Sequence, residues 1–267
     1  MRNLLATLSV LLGAYSSSLF AASTENYQMR VEYGPVQQQL KLDQYASTLK
    51  QGRVIEGLAE LLNRVIDWPA PMILAVAQCG QPNAFYSKQH RGIVICYELI
   101  QRIFETVPKD RNLNGLTEDQ KANTTAGALL TIILHETGHA LVDLYNIPVL
   151  GKEEDVADQI STYILLGLPE SKLLVLGGVT YFSFGKPMFD IIGKSIVDNR
   201  SMADEHALNQ QRAVNIACWA WGRNPQEFGF VAKVSGLTRE RAARCPEEYG
   251  QLEKAIKQLL GEHIHFQ

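Results

Sequence analysis

Apolar and polar positions first alternate at Tyr27. Tyr27, Met29, Val31 and Tyr33 are separated by polar residues, the period-two pattern of a half-buried strand, here over 27–36. From Leu40 to Trp68 the period lengthens. Leu40, Leu42, Tyr45, Leu49, Val54, Leu58, Leu61, Leu62 and Val65 fit one or two amphipathic helices. Asp67-Trp68-Pro69 and Pro71 end that run, because proline carries no amide hydrogen to continue a helix. MILAVAQC and GIVIC are short and apolar throughout, as buried strands are, and GQPNAFYSKQHR between them reads as a polar, turn-rich loop. YELIQRIFETV is helical in pattern, and 107–118, with Pro, Asn, Gly and Asp, reads as a surface loop. Beyond it the spacing predicts helices over about 119–145, 153–167, 170–182, 201–222 and 246–261.

This order of elements predicts an α+β fold, with a sheet-containing half to about 118 and a mainly helical half over 119–267. No internal repeat, low-complexity tract or linker divides it, so 23–267 is expected to form one domain.

Residues 1–22 follow a different logic. Arg2 precedes an uncharged apolar stretch from Leu4 to Leu12, and the small residues Ala21, Ala22 and Ser23 follow, which is the layout of a secretory signal peptide. Gly13 and Ser16 to Ser18 interrupt the apolar run before it reaches the ~20 residues of a membrane span. No Cys follows the stretch to take a bacterial lipid anchor. The expected location is periplasmic or secreted, with no stable span after cleavage.

Export changes how the cysteines read. Cys79, Cys96, Cys218 and Cys245 would meet an oxidising compartment, where pairing is the default, and proximity in the chain favours Cys79–Cys96 and Cys218–Cys245. No CxxC pair is present to favour a cysteine zinc site. Composition adds exclusions. With 46% hydrophobic and 20% charged residues, the 267-residue chain is neither disordered nor a multi-span membrane protein. A formal net charge of -3 leaves no basic footprint for nucleic acid or anionic lipid.

The chemistry is concentrated in GALLTIILHETGHALVDLYN. His135 and His139 lie four apart in a helical pattern and so project from one face on consecutive turns. Two imidazoles so placed can share a zinc ion, and Glu136 stands where a general base for the attacking water belongs. Three fixed letters recur by chance, so the flanks matter. Leu129, Leu130, Ile132, Ile133, Leu134, Ala140, Leu141 and Val142 mark a buried helix, where two histidines and a glutamate without a shared partner would be costly. Gly138 leaves room for another element to approach.

A catalytic zinc needs a third protein ligand and an open fourth position. Pro148 and Gly151 break the helix, and KEEDVADQIS begins another. Glu154 is the expected ligand, because Asp158 one turn later can accept the remaining N–H of a ligating histidine. Glu153 competes, but its partner at the same spacing is Ala157.

HETGH followed by GKEEDVAD resembles the gluzincin metallopeptidases, the thermolysin-like class with HExxH and a downstream ExxxD. From about Tyr27 onward the chain more closely resembles a family of exported bacterial metallopeptidases catalogued as a domain of unknown function. CGQPNAFY, ICYEL, HETGHALVD, GKEEDVADQ, DEHALNQQR and CWAWG carry that likeness. The resemblance implies a zincin-like fold with the small sheet over the HExxH helix, and zinc held by His135, His139 and Glu154. It also implies Glu136 as base and a peptide or protein substrate. The gap from His139 to Glu154 is shorter than in thermolysin itself, so the likeness reaches the ligand set and not the rest of that fold.

In zincin folds the substrate pairs with an edge strand above the active-site helix, a role GIVIC or NAFY would fill here. For the oxyanion, His206 is the first candidate and Tyr181 the second, while Arg212 clamps a carboxylate or braces Glu205. Equally, Asp204, Glu205, His206 and Gln211 form the polar face of an ordinary helix. The leading expectation is an exported zinc metallopeptidase. The alternative is a non-catalytic zinc-binding scaffold on the same fold. An intramembrane protease is disfavoured, because no run reaches ~18 apolar residues. Neither the oligomeric state nor the cleavage specificity is legible at this level.

Overall fold

The computed structural model describes residues 27–37, 39–183 and 209–266. Residues 1–22, expected to be a signal peptide, and His206 lie outside them.

Four strands form one mixed sheet: β1 (Met29–Tyr33), β2 (Met72–Ala77), β3 (Ala84–Ser87) and β4 (Gly92–Cys96), in the order β1-β2-β4-β3. β1 pairs parallel with β2, and β2 parallel with β4. The first parallel connection is made by α1 (Leu40–Gln51) and α2 (Val54–Val65). α2 buries Val54, Ile55, Leu58, Leu61, Leu62 and Val65 on one stripe, as its periodicity requires.

β3 runs antiparallel to β4 and occupies an edge. Its residues were expected in a loop. Four residues flanked by turns carry too little pattern to announce a strand, and the pairing with β4 defines it. GIVIC, by contrast, lies inside the sheet, so NAFY rather than GIVIC supplies the edge. The Cys96 N–H donates to the Asn83 carbonyl, and Ala84 stands opposite Ile95. That register turns the peptide groups of Phe85 and Ser87 toward β4 and leaves those of Ala84 and Tyr86 on the open edge.

α3 (Tyr97–Thr106) leads through two short 3-10 turns to α4 (Glu118–Leu144). A reciprocal capping box between Thr117 and Gln120 starts α4. With 27 residues it spans about 40 Å, and from Thr124 to Gly138 every residue is buried. Thr131 and Thr137 satisfy their hydroxyls locally, donating to the Gly127 and Ile133 carbonyls at 2.7 and 2.8 Å.

Around α4 pack α5 (Glu153–Gly167), α6 (Ser171–Ser183) and α7 (Asn209–Arg223), with α8 (Pro225–Ser235), α9 (Arg239–Ala242) and α10 (Cys245–Leu260) completing the helical half. α8 and α9 were not expected. Proline breaks a helix in its interior, but Pro225 opens α8, where its missing N–H has no helical partner to lose, and Asn224 caps the turn. Near-contact of α4 and α6 depends on glycine: a Cβ on Gly177 would lie 2.0 Å from the Thr124 carbonyl oxygen. One hydrophobic cluster joins Leu74 and Ile95 of the sheet to Ile133, Val175 and Ile216 of the helices.

Both disulfides pair as expected. Cys79–Cys96 ties the carboxyl ends of β2 and β4, and Cys218–Cys245 ties α7 to the start of α10. Among the described residues, no helix is long and apolar enough to cross a membrane.

Candidate metal centre

His135 and His139 project from α4 toward α5, which brings Glu154 against both. A Cβ on Gly138 would lie 2.7 Å from the Cα of Ala157, so the missing side chain lets the two helices approach at this level. Ala157 stands between Glu154 and Asp158 on α5. The glycine that the sequence offered as a point of approach is therefore where the carboxylate-bearing helix docks.

His135 Nε2 lies 3.3 Å from His139 Nε2. Glu154 Oε2 is 3.1 Å from the first nitrogen, and Oε1 is 3.3 Å from the second. Donors at zinc-bond lengths on a tetrahedron are separated by about 3.3–3.4 Å. The three side chains thus converge closely enough to share one metal ion, with a Glu154 oxygen turned to each imidazole.

The outer nitrogens explain why the inner ones are available. His135 Nδ1 is 2.9 Å from Asp158 Oδ1, and His139 Nδ1 is 2.8 Å from Glu153 Oε1. An ionised carboxylate only accepts, so each Nδ1 carries the proton and donates it. Each neutral ring then directs its Nε2 lone pair inward, against the acceptor oxygens of Glu154. Such a cluster of acceptors is stable only around a cation or added protons.

Without a cation, protons fill that role. Burial works to lower the His139 pKa, but Glu154 and Glu153 outweigh it and hold the pKa at about 9. In His135, burial is likewise overcome by Asp158 and Glu154, and the pKa is raised. Glu154 shows the reciprocal effect: burial pushes its pKa up, and the two imidazoles bring it well below the ordinary carboxylate range.

Asp158 is itself held. Arg212 Nε and Nη2 donate to its two oxygens at 2.8 and 2.7 Å, and the guanidinium lies over the Phe182 ring at 4.1 Å. Of the two roles open to Arg212 in the sequence, clamping a carboxylate is the one seen, and that carboxylate is Asp158.

A cleft of about 630 Å³ opens beside these groups, with β3 on one wall and Lys152, Glu153 and Glu154 on the other. Glu136 lines it, 6% exposed; burial raises its pKa, while a hydrogen bond from the Tyr86 backbone N–H works in the other direction. The open-edge peptide groups of β3 therefore face the same cleft as Glu136. Tyr86 also donates its hydroxyl to Asp143 at 2.9 Å, and Lys88 pairs with the same carboxylate at 3.1 Å. Asp143 stands one turn beyond His139 and fastens the edge strand to the helix.

Tyr181 sits on α6 beside Phe182, packed against the core, and the described lining of the cleft does not include it. Two contributions escaped the sequence reading. Glu153 was weighed only as a rival ligand, yet it holds His139. Asp143 was given no role, although its i+4 spacing from His139 was a usable signal.

A family model described as "Putative metallopeptidase" matches residues 33–260. No curated protein and no solved structure matches the chain.

Proposed function

The chain belongs to that metallopeptidase family, and from this premise we propose a zinc-dependent peptidase of zincin-like architecture and gluzincin ligand set. One observation carries the proposal: two histidine nitrogens and a glutamate carboxylate converge at 3.1–3.3 Å beside an open cleft that also holds Glu136. His135, His139 and Glu154 would hold the ion. When bound, zinc supplies Lewis acidity, lowering the pKa of water toward ~7 and stabilising charge on a carbonyl oxygen.

The chain's own groups supply the rest. An extended peptide pairs with the outward peptide groups of Ala84 and the outward carbonyl of Tyr86, while the Tyr86 N–H holds Glu136, and this sets the scissile bond over α4. Glu136 takes a proton from the attacking water as its oxygen bonds to the carbonyl carbon. It delivers that proton to the amide nitrogen, and the C–N bond breaks to give an acid and an amine. Its raised pKa suits both steps, because a carboxylate closer to neutrality accepts and returns a proton with less bias. Asp158 and Glu153 keep both imidazoles in the tautomer that turns the Nε2 lone pair inward, and Arg212 keeps Asp158 ionised and in place.

The open cleft supports catalysis over a non-catalytic scaffold, which has no need of a base facing an exposed strand edge. The two disulfides are consistent with an extracellular location. With residues 1–22 read as a signal peptide, the proposed site of action is the periplasm or the exterior. Chelation followed by zinc restoration tests the proposal: cleavage of an unbiased peptide library is lost with the metal and returns with it. A metal-loaded protein that cuts nothing contradicts it.

A further inference from the structure

The two faces of α5 differ in a way the metal site does not explain. Glu154 and Asp158 face α4. Lys152 at the N-cap, Asp155 and Gln159 follow an i, i+3, i+7 spacing on an adjacent face. That second stripe lines two shallow depressions of about 490 and 390 Å³ between α5, α7 and the α9–α10 region. Asp155, Asn215 and Arg241 line both, so the two form one groove. Lys152 lines the nearer depression and also the metal-site cleft, so the groove continues that cleft.

Its chemistry narrows the occupant. Arg241 is neutralised by Glu248 at 2.5 Å, and Lys152 stands beside three acidic residues, so no excess positive charge awaits a phosphate. Gln159 and Asn215 are half-buried, and among the described residues their side-chain amides make no hydrogen bond. A side-chain amide offers one donor group and one acceptor, the same complement as a peptide group. Amides and balanced charges are set here among Val214, Trp219, Leu252 and Ala255, so the lining can hydrogen-bond main chain and pack against apolar side chains without selecting a charge.

We propose that this groove binds the main chain of an unfolded polypeptide substrate several residues from the scissile bond, making the protein an endopeptidase of long, unstructured chains. The inference rests on the peptidase reading above. Lys152 to Gln159 spans about 10 Å along the helix, room for roughly three residues of extended chain beyond the cleft. Short peptides end before reaching it.

The test compares wild type with Gln159→Ala/Asn215→Ala on two substrates: a reduced, carboxymethylated protein and an internally quenched hexapeptide. Loss of two hydrogen bonds raises KM for the unfolded protein about ten-fold with kcat unchanged, while kcat/KM for the hexapeptide moves less than about two-fold. In Glu136→Gln protein, fluorescence anisotropy shows the same weakening for the labelled unfolded chain. If the alanine pair fails to unfold cooperatively, Asn215→Leu gives the same readout with side-chain volume retained. Equal effects on both substrates, or none on either, overturn the inference and leave the peptidase reading standing. So does binding of soluble oligosaccharides that the alanine pair abolishes, which makes the groove a glycan site. Wild type that cleaves neither substrate removes both proposals.

Discussion

Gly138 of α4 lies against Ala157 of α5 so closely that a Cβ on the glycine would stand 2.7 Å from the Ala157 Cα and 2.9 Å from its carbonyl oxygen. Both clashing atoms are backbone, so relief requires the helices to separate. Glu154 and Asp158 move with α5, and both reach the histidines only at the present spacing. Gly138→Ala is therefore expected to lower metal affinity at least ten-fold, with overpacking costing about 1–3 kcal/mol of stability. Competition against a chromogenic chelator, read alongside thermal unfolding, checks both. Unchanged metal affinity would show that α5 is positioned by something else.

Asp158 and Arg212 form a buried ion pair, the carboxylate 5% and the guanidinium residue 7% exposed. Removing either partner strands a charge, at a cost of about 3–5 kcal/mol, so Asp158→Asn and Arg212→Met should both destabilise strongly. They are expected to be non-additive in a double-mutant cycle, because the second change removes the charge the first left behind. Denaturant unfolding of the four proteins measures the coupling, and simple additivity would refute it.

Glu153 touches His139 from a more open position, its side chain 38% exposed. Glu153→Gln should leave folding stability nearly unchanged, since water can replace the carboxylate, and should weaken metal binding less than Asp158→Asn does. Metal titrations of the two variants rank them. The reverse order would mean that His139, not His135, depends more on its outer partner.

Protons and metal compete for the same nitrogens. With the His139 pKa at about 9 in the metal-free protein, binding at pH 7 must expel a proton, and affinity must fall as pH falls. The sign for stability follows from the same shift. A raised histidine pKa stabilises the metal-free fold fully below its unfolded value near ~6.5, and this contribution is lost as pH rises through about 9. Calorimetry in buffers of different ionisation enthalpy counts the protons released. Zero release at pH 7 would contradict the arrangement of carboxylates around these rings.

How much of this was readable in the chain depended on whether the cause was local. His135, His139, Glu154 and Asp158 announced themselves because helical spacing alone decides which residues share a face, and the structure brings these four together. β3 was not readable from its own pattern, and only the family resemblance offered NAFY as one of two edge candidates. Four residues between turns become a strand only because β4 lies alongside, and no local pattern records a partner. The contact of Glu153 with His139 depends on how α5 is rotated against α4, which Gly138 and Ala157 determine across a gap of nineteen positions. α8 was hidden by a proline that breaks helices in their interior and is harmless at their start.

The most direct measurement sets metal content beside peptide hydrolysis for wild type and Glu136→Gln. Glu136 is not one of the three residues grouped as able to hold the ion, and the substitution preserves shape while removing the base. The predicted result is about one zinc per chain in both proteins, with hydrolysis lost by at least ~10²-fold only in the variant. A variant that retains zinc and cleaves at the wild-type rate would contradict the assignment of Glu136. A wild type that binds no zinc would contradict the site itself.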